Sequence, residues 1–496
     1  MSTAAYYDQV PYTSNPYLET SPGILEGLAW LQGYNPPPIE TARVLELGCA
    51  AGGNLSPFAY AFPGSRCRGI DFSPKQIEAA RRVAEAAELR NVDYVCKSIL
   101  DVTAEDGTFD YIICHGVYSW VPPDVQEKIL RICQELLSPA GMAFISYNVY
   151  PGWHLKRWLR DALMFKAQGI EDPKERVRRG MELLQYITEV PPHSQMPIAA
   201  LIKTEFQSVG SKETQYVLHE YLEPINEPCH FQEFAKKLAA HQLRYVSDAR
   251  TNGISIGNPQ HPAAQAMLAP GIDPIVREQN IDFVINRSFR RSIITRQSHA
   301  PEPNAPAQRL PNMHLVSFCR PAVQQAAGVI AQEVRFDHPT VGSVVVRERG
   351  LMGIMQHMSD VAPQAVPVND MLERTRLLVG QTAEQFAPRR NTLIGELLTY
   401  VLSGLLHCYR TPSKFFTSVS NKPRASRLAR VLSQGSTRLT NLRHEPIDMD
   451  ENWSRFLRLL DGTRTIDDLV REVPGSNPEH IKQFLAQVAR RALLEA

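Results

Sequence analysis

Glu46-Leu47-Gly48-Cys49-Ala50-Ala51-Gly52-Gly53-Asn54 is the stretch of this chain best suited to chemistry. An acid opens it and small residues fill it, so a ligand can approach the main chain closely. RVLELG (43–48) reads as a buried strand leading in, and NLSPFAYAF as a helix leading out. The loop therefore sits at the carboxyl end of a strand, where open α/β sheets bind ligands, and N–H groups at the helix start can receive an anionic group. Two ligands compete for such a loop. Read as GxGxxG, it puts Ala50 where the second glycine admits a dinucleotide pyrophosphate, a departure from that fingerprint. Read as ExGxAxG, it points Glu46 into the crevice, where a carboxylate repels pyrophosphate and attracts the sulfonium and ammonium of S-adenosyl-L-methionine (SAM). The second reading is favoured; a tight turn without a ligand is the plain alternative.

Asp71 ends a second strand, SRCRGIDF (65–72), with Phe72 beside it. A carboxylate there can accept both ribose hydroxyls, in a nicotinamide or a SAM site alike, or can cap the helix that starts at Ser73-Pro74. In KSILDVT, Asp101 can take the adenine amino group while Ser98, Ile99 and Leu100 line the ring; a simple turn suits Asp101 nearly as well. The fourth strand ends in Cys114-His115-Gly116-Val117-Tyr118-Ser119-Trp120-Val121-Pro122-Pro123, beside the expected donor. His115 is the readily titrating group of that loop, and framing the cofactor suits it better than acting as a base. Cys49 and Cys114 read as small buried filler rather than nucleophiles.

These residues need a sheet to position them. VDYVCKS (92–98), FDYIICHG (109–116) and MAFISYNVY (142–150) supply further strands, alternating with helices such as KQIEAARRVAEAAEL and VQEKILRICQELL. The alternation predicts a doubly wound, Rossmann-like α/β sheet in 1–152, with 153–224 a helical insertion between the fifth and sixth strands. Residues 225–300 return to helix-then-strand and complete the core. Ser298 to Pro311 reads as a linker, 312–420 as a mostly helical middle domain, and NKPRASRLAR as a solvated basic connector. Helix, turn, helix, turn, helix in 430–496 suits a winged-helix-like domain. The apolar run Thr392 to Cys408 contains Glu396 and reads as a buried helix rather than a membrane span.

Composition narrows the function classes. Among 496 residues, 53 Lys and Arg face 52 Asp and Glu, too balanced for a general nucleic-acid binder, which needs a basic footprint. The 8 cysteines are scattered without a CxxC pair, which argues against a metal site or disulfide scaffold and fits a reducing, cytoplasmic setting. The opening MSTAAYYDQVPYTSNPY has no charged-then-apolar leader pattern.

ExGCAxGxN, Asp71 and the HGVYSWVP loop together resemble the class I SAM-dependent methyltransferases. YDQVPYTSNPYLETSP, YNVYPGWH (147–154) and HEYLEPINEPCHFQEFAKKLAAHQLRYVSDA (219–249) resemble one bacterial branch, whose members carry a methyltransferase regulatory domain and include rickettsial protein-lysine methyltransferases. DGTRTIDDLV looks like that branch's C-terminal module. The resemblance implies a SAM core, homodimerisation through the insertion, a regulatory-domain-like segment within 225–300, and a protein lysine side chain as acceptor. By motif position Glu46, Gly48 and Gly52 would hold the methionine end of SAM, Asp71 the ribose, and Asp101 with its neighbours Ser98, Ile99 and Leu100 the adenine; Ala50, Asn54, Phe72 and His115 complete the expected cofactor-binding set. A small-molecule acceptor, or a SAM-binding regulator without turnover, are the alternatives. Tyr7, Tyr12, Tyr118, Trp120, Tyr147 and Tyr150 can build an aromatic pocket for an amine. Tyr12 and Tyr118 are the preferred active-site tyrosines, with Tyr118→Phe expected to keep SAM affinity and lower turnover. His154 could orient substrate or cap the helix that follows.

Overall fold

The structure, a computed structural model, describes residues 14–210, 214–250, 271–303, 305–322, 332–473 and 475–495, with isolated positions between 262 and 269. Near-continuous apolar runs make its central strands, because helices cover both faces of the sheet. After helix α1 (Pro22–Leu31), the chain alternates β1 (Arg43–Leu47), α2 (Leu55–Ala61), β2 (Arg66–Asp71), α3 (Pro74–Ala86), β3 (Val92–Cys96), β4 (Phe109–Cys114), α4 (Pro123–Leu136) and β5 (Leu137–Asn148). Ser73 accepts the Gln76 N–H at 3.2 Å and Pro74 follows it, so α3 starts where its cap and its preset φ allow.

The insertion comprises α5 (Trp153–Lys166), α6 (Pro173–Glu189), α7 (Pro197–Gly210) and α8 (Thr214–Tyr221). It closes its own apolar core, with Leu159, Leu163, Leu184 and Ile202 at its centre. The sheet is then completed by α9 (Phe231–Ala240), β6 (Leu243–Asp248), α10 (Pro274–Val284) and β7 (Phe289–Arg296). Strand order is β3-β2-β1-β4-β5-β7-β6. The pairs from β3 to β5 are parallel, and β7 runs antiparallel between β5 and β6. The order reverses at β1 and β4, which opens the ligand crevice at their carboxyl ends. Fifth-strand pairing begins at Leu137, earlier than the apolar pattern predicts, because Leu137 meets Phe109 before a register shift.

One face of the sheet packs Val44, Ile113 and Phe144 against α1 and on into the middle region. The other packs Leu45, Ile112 and Ile145 against α4 and α9.

The middle region differs from the mostly helical expectation. It contains β8 (His314–Ser317), β9 (Arg320–Pro321), β10 (Val334–His338), β11 (Gly342–Val346), α11 (Arg349–Val361), β12 (Val366–Pro367), α12 (Val368–Leu378), α13 (Ala383–Leu402) and β13 (Leu406–Tyr409). Its strands form two three-stranded sheets, each strand too short to establish a period-two pattern in the sequence. The Thr392 to Cys408 run divides into the end of α13 and the start of β13.

Both expected linkers are packed. The Glu302 N–H donates to the Gly33 carbonyl at 2.9 Å, and the Arg309 guanidinium lies 4.2 Å from the Trp30 ring centroid. The basic connector makes bridges from Arg424 to Asp461 and from Ala425 to Leu494. It leads into α14 (Arg427–Leu432), the hairpin β14 (Arg438–Thr440) and β15 (Pro446–Asp448), α15 (Glu451–Leu459), α16 (Ile466–Glu472) and α17 (Pro478–Arg490). Asp450, Thr465 and Asn477 cap the last three helices with side-chain oxygens, as their positions in the sequence suggest. Among the described residues no helix is long and apolar enough to cross a membrane.

Candidate active site

Glu46 is the penultimate residue of β1, and its side chain is buried. The Asn54 amide donates to Oε1 at 2.7 Å, while Oε2 is equally enclosed and has no partner. Burial pushes the carboxyl up to about 8; the nearby Asp71 charge adds to this and the Asn54 hydrogen bond opposes it. A buried acceptor left bare is costly unless a ligand supplies a donor, and a cation supplies the strongest.

Asp71 ties down the same loop from β2. Its Oδ2 accepts the Ala50 N–H at 2.9 Å and its Oδ1 accepts the Ser73 N–H at 3.0 Å. The first bond holds Ala50 at φ 46°, a left-handed conformation at the position of the departed second glycine. Carboxylate oxygens accept more than one hydrogen bond, so capping does not exclude a ribose. Gly52 also has positive φ (73°), and a Cβ there would stand 2.4 Å from the Tyr94 hydroxyl. That hydroxyl is fixed by Ser56 Oγ at 2.6 Å. Around the rim, the apolar side chains of Phe72 and Leu100 stay exposed at the ends of β2 and β3. Ser98 accepts the Leu100 N–H at 3.2 Å, Ile99 is half-buried and Asp101 is exposed.

His115 follows β4. Its Nδ1 lies 2.9 Å from Ser146 Oγ, which also accepts the Gly116 N–H at 2.9 Å. That hydroxyl therefore ties the imidazole to the turn after β4. Burial, and secondarily the positive charge of Arg291, holds this imidazole down to about 3, so it is neutral at pH 7 and a weak base. The Tyr17 ring covers it, with centroids 4.2 Å apart.

Sequence reasoning missed several members of this site. Ser14 accepts the Gly53 N–H at 2.8 Å, which lays the N-terminal segment across the glycine loop. The Tyr17 N–H donates to Asn54 Oδ1 at 3.1 Å, and Thr20 Oγ1 lies 2.8 Å from it. His444 Nε2, from the hairpin of the C-terminal region, reaches the same oxygen at 2.8 Å. Tyrosines in the lead-in were visible in the sequence, but Tyr17 is the one over His115; Tyr7 and Tyr12 lie outside the described residues. Ser146 and His444 carry no local signal.

Other expected positions are placed elsewhere. Tyr118 is a core residue: its ring stands edge-on to Tyr147 and Phe234, and its hydroxyl is enclosed without a partner, with Cys229, Cys114 and Glu127 as its electrostatic neighbours. The sequence reading counts it among active-site tyrosines; the structure encloses it among core rings, since strand-end position does not fix which side of the sheet a ring takes. Trp120 packs edge-on to Trp153 at the start of the insertion. Tyr147 stacks on Phe234 within the core, with centroids 4.0 Å apart. Tyr150 stacks on the exposed His154 at 4.3 Å, and no side-chain cap forms at that helix start. Burial pushes the Cys49 and Cys114 thiols well above their ordinary value, as suits filler. Among the described residues no cluster of His, Cys, Asp or Glu could hold a metal ion.

Comparison with known proteins agrees with this geometry. Family profiles match residues 44–141 as a methyltransferase domain, 213–296 as a predicted methyltransferase regulatory domain, and 421–477 as the C-terminal winged helix domain of PKMT. The uncharacterized protein RP028 of Rickettsia prowazekii is 40% identical over 231 residues, 47% of this chain and 92% of that protein. The chain belongs to the SAM-dependent methyltransferases that carry a methyltransferase regulatory domain. RP789 of the same organism, also uncharacterized, is 29% identical over 95% of this chain and 85% of its own. PKMT2 from Rickettsia typhi is 27% identical and superposes with a TM-score of 0.86, covering 98% of this methyltransferase and 100% of PKMT2; it has also been solved in complex with AdoHcy. SAM is the cofactor of this methyltransferase, and the bare oxygen of Glu46 beside close-packed glycines fits it.

Proposed function

We propose that this methyltransferase N-methylates lysine side chains of a protein substrate. The observation that carries the reading is the extent of the likeness to PKMT2, a protein-lysine methyltransferase: it runs through the insertion, the middle region and the C-terminal region, beyond the SAM-binding half shared by methyltransferases of many acceptors. In this reading Glu46 and the loop from Gly48 to Asn54 hold the methionine end of SAM, Asp71 and Phe72 the ribose, and Ser98 to Asp101 the adenine.

The cofactor supplies an activated methyl group, so the protein contributes chiefly proximity, alignment and exclusion of water. A lysine amine must arrive neutral, which at pH 7 costs about 4–5 kcal/mol from an unperturbed pKa near 10.4. Tyr17, His115 and Phe289 line one side of the crevice, and the Arg291 guanidinium stacks 4.8 Å from the Phe289 centroid. The Arg291 charge, partly offset by Glu19 at 3.9 Å, and the rings around His115 together disfavour a second cation and lower that cost. Neutral His115 then frames the acceptor without taking its proton.

Homodimerisation through the insertion is part of the same reading. Its helices leave Trp158, Phe165, Tyr186 and Leu201 exposed, an apolar surface that a second copy would cover. Incubation with methyl-labelled SAM and a cell lysate tests the function. Label recovered on lysine supports it; label in the low-mass fraction supports a small-molecule acceptor, and no label supports a SAM-binding regulator.

A further inference from the structure

His444 sits between β14 and β15, in a part of the chain that no cofactor motif reaches. It is buried, its φ is 64°, and its Nε2 lies 2.8 Å from Asn54 Oδ1 across 390 residues of sequence. Its turn is built to hold it. Asn441 Oδ1 accepts the N–H groups of Arg443 and Glu445 at 2.9 and 3.0 Å, and the Asn441 amide donates to the Arg491 carbonyl at 3.0 Å. Left-handed φ is several-fold commoner for His and Asn than for most residues, so the position suits its occupant.

The target of this contact is an amide that can be turned over with almost no change of shape. Only one orientation serves the site: Nδ2 toward Glu46, Oδ1 away from it. Reversed, the amide would aim its oxygen at a carboxylate oxygen. Donors on the Oδ1 side decide the matter. Thr20 has one proton to divide between Asn54 and the Tyr17 carbonyl, both at 2.8 Å, which leaves the Tyr17 N–H and His444 as undivided donors. Since Nε2 faces an acceptor it carries the proton, and Nδ1, enclosed without a partner, is bare. Burial holds the ring down to about 3, so this neutral tautomer persists across the working pH range.

We propose that His444 is a positioning residue, by which the C-terminal region orients Asn54 and through it sets the Glu46 carboxylate for the cofactor. The proposal rests on the reading of Glu46 as the SAM-binding acid. The C-terminal region does not need His444 in order to dock. The Arg427 N–H donates to the Tyr60 hydroxyl at 2.8 Å, Tyr60 also bonds Glu495, and Arg427 pairs with Glu88 of the first domain.

Calorimetry with AdoHcy on the full chain tests this, alongside thermal melting. H444N keeps the left-handed preference but cannot span the gap; H444Q keeps an N–H donor at similar reach. The expected result is a loss of about tenfold in AdoHcy affinity for H444N with melting nearly unchanged, and recovery of most of the affinity in H444Q. Asn54→Ala weakens binding by itself, and adding H444N to it changes nothing further, because the two act in series. Wild-type affinity in H444N, or an equal loss from H444N in both backgrounds, overturns the proposal. A folded wild-type chain that takes up no AdoHcy removes the cofactor reading along with it.

Discussion

Asn54 and Glu46 share a single hydrogen bond, 2.7 Å from Nδ2 to Oε1, and the other carboxylate oxygen is enclosed with nothing to accept. Binding a cation requires the ionised form, while the free carboxyl is raised to about 8. SAM uptake at pH 7 should therefore release close to one proton per site, and affinity should rise by about tenfold per pH unit up to about pH 8 and then level off. Calorimetry in buffers of different ionisation enthalpy measures the proton count. Folding has the opposite sign. A carboxyl raised from about 4.5 to about 8 contributes stability that is complete below 4.5 and lost as pH climbs through 8. Glu26, raised to about 8 by burial, adds to this in free and bound protein alike. The melting temperature of the free protein should fall across that window, and the stabilisation by SAM should grow with pH.

Gly52→Ala tests the close approach behind the loop. The new Cβ would lie 2.4 Å from the Tyr94 hydroxyl, and the backbone is held at φ 73°. Strain and displacement of Tyr94 together should cost about 2–4 kcal/mol in urea unfolding. AdoHcy affinity should fall as well, since the loop is displaced.

Arg290 and Asp282 form a pair with no exposure on either side, through two contacts of 2.8 Å, with the guanidinium 3.8 Å from the Phe231 centroid. This joins β7 to α10 and makes no contact with the glycine loop. Arg290 also reaches Glu278 at 3.1 Å and Asp282 also pairs with Arg287 at 2.7 Å, so Asp282→Ala leaves Arg290 on Glu278 alone and should cost about 3 kcal/mol by urea unfolding, while the folded fraction binds AdoHcy as tightly as wild type.

Tyr118→Phe removes a hydroxyl that is enclosed without a partner. Losing an unsatisfied buried group is neutral or favourable, so melting temperature should hold or rise and turnover should match wild type. Reduced turnover with unchanged SAM affinity would return Tyr118 to the reaction.

Local structure was legible in the sequence wherever contiguous residues carry it. The run from Arg43 to Asn54 encodes strand, glycine turn and helix start within one short segment, and Asp71 falls at the end of the next strand. The capped helices of the C-terminal region were equally readable, because cap residues such as Asp450, Thr465 and Asn477 are local signals. The two small sheets of the middle region were not, since strands such as Val366–Pro367 are too short to show alternation. The enclosure of Tyr118 among core rings was not legible, because spacing after a strand gives distance from the crevice but not direction. His444 on Asn54 and Ser146 on His115 were invisible for a different reason: contacts across 390 and 31 residues depend on the assembled fold.

Titration of SAM into the wild-type chain and into Glu46→Gln is the most direct test of the claim that a bare buried carboxylate receives the cationic methyl donor. Wild type should bind at one site per chain, and Glu46→Gln, with similar shape and no charge, should bind about 10–100-fold more weakly. Equal affinity in the two proteins, or no uptake by a folded wild-type chain, would contradict the account.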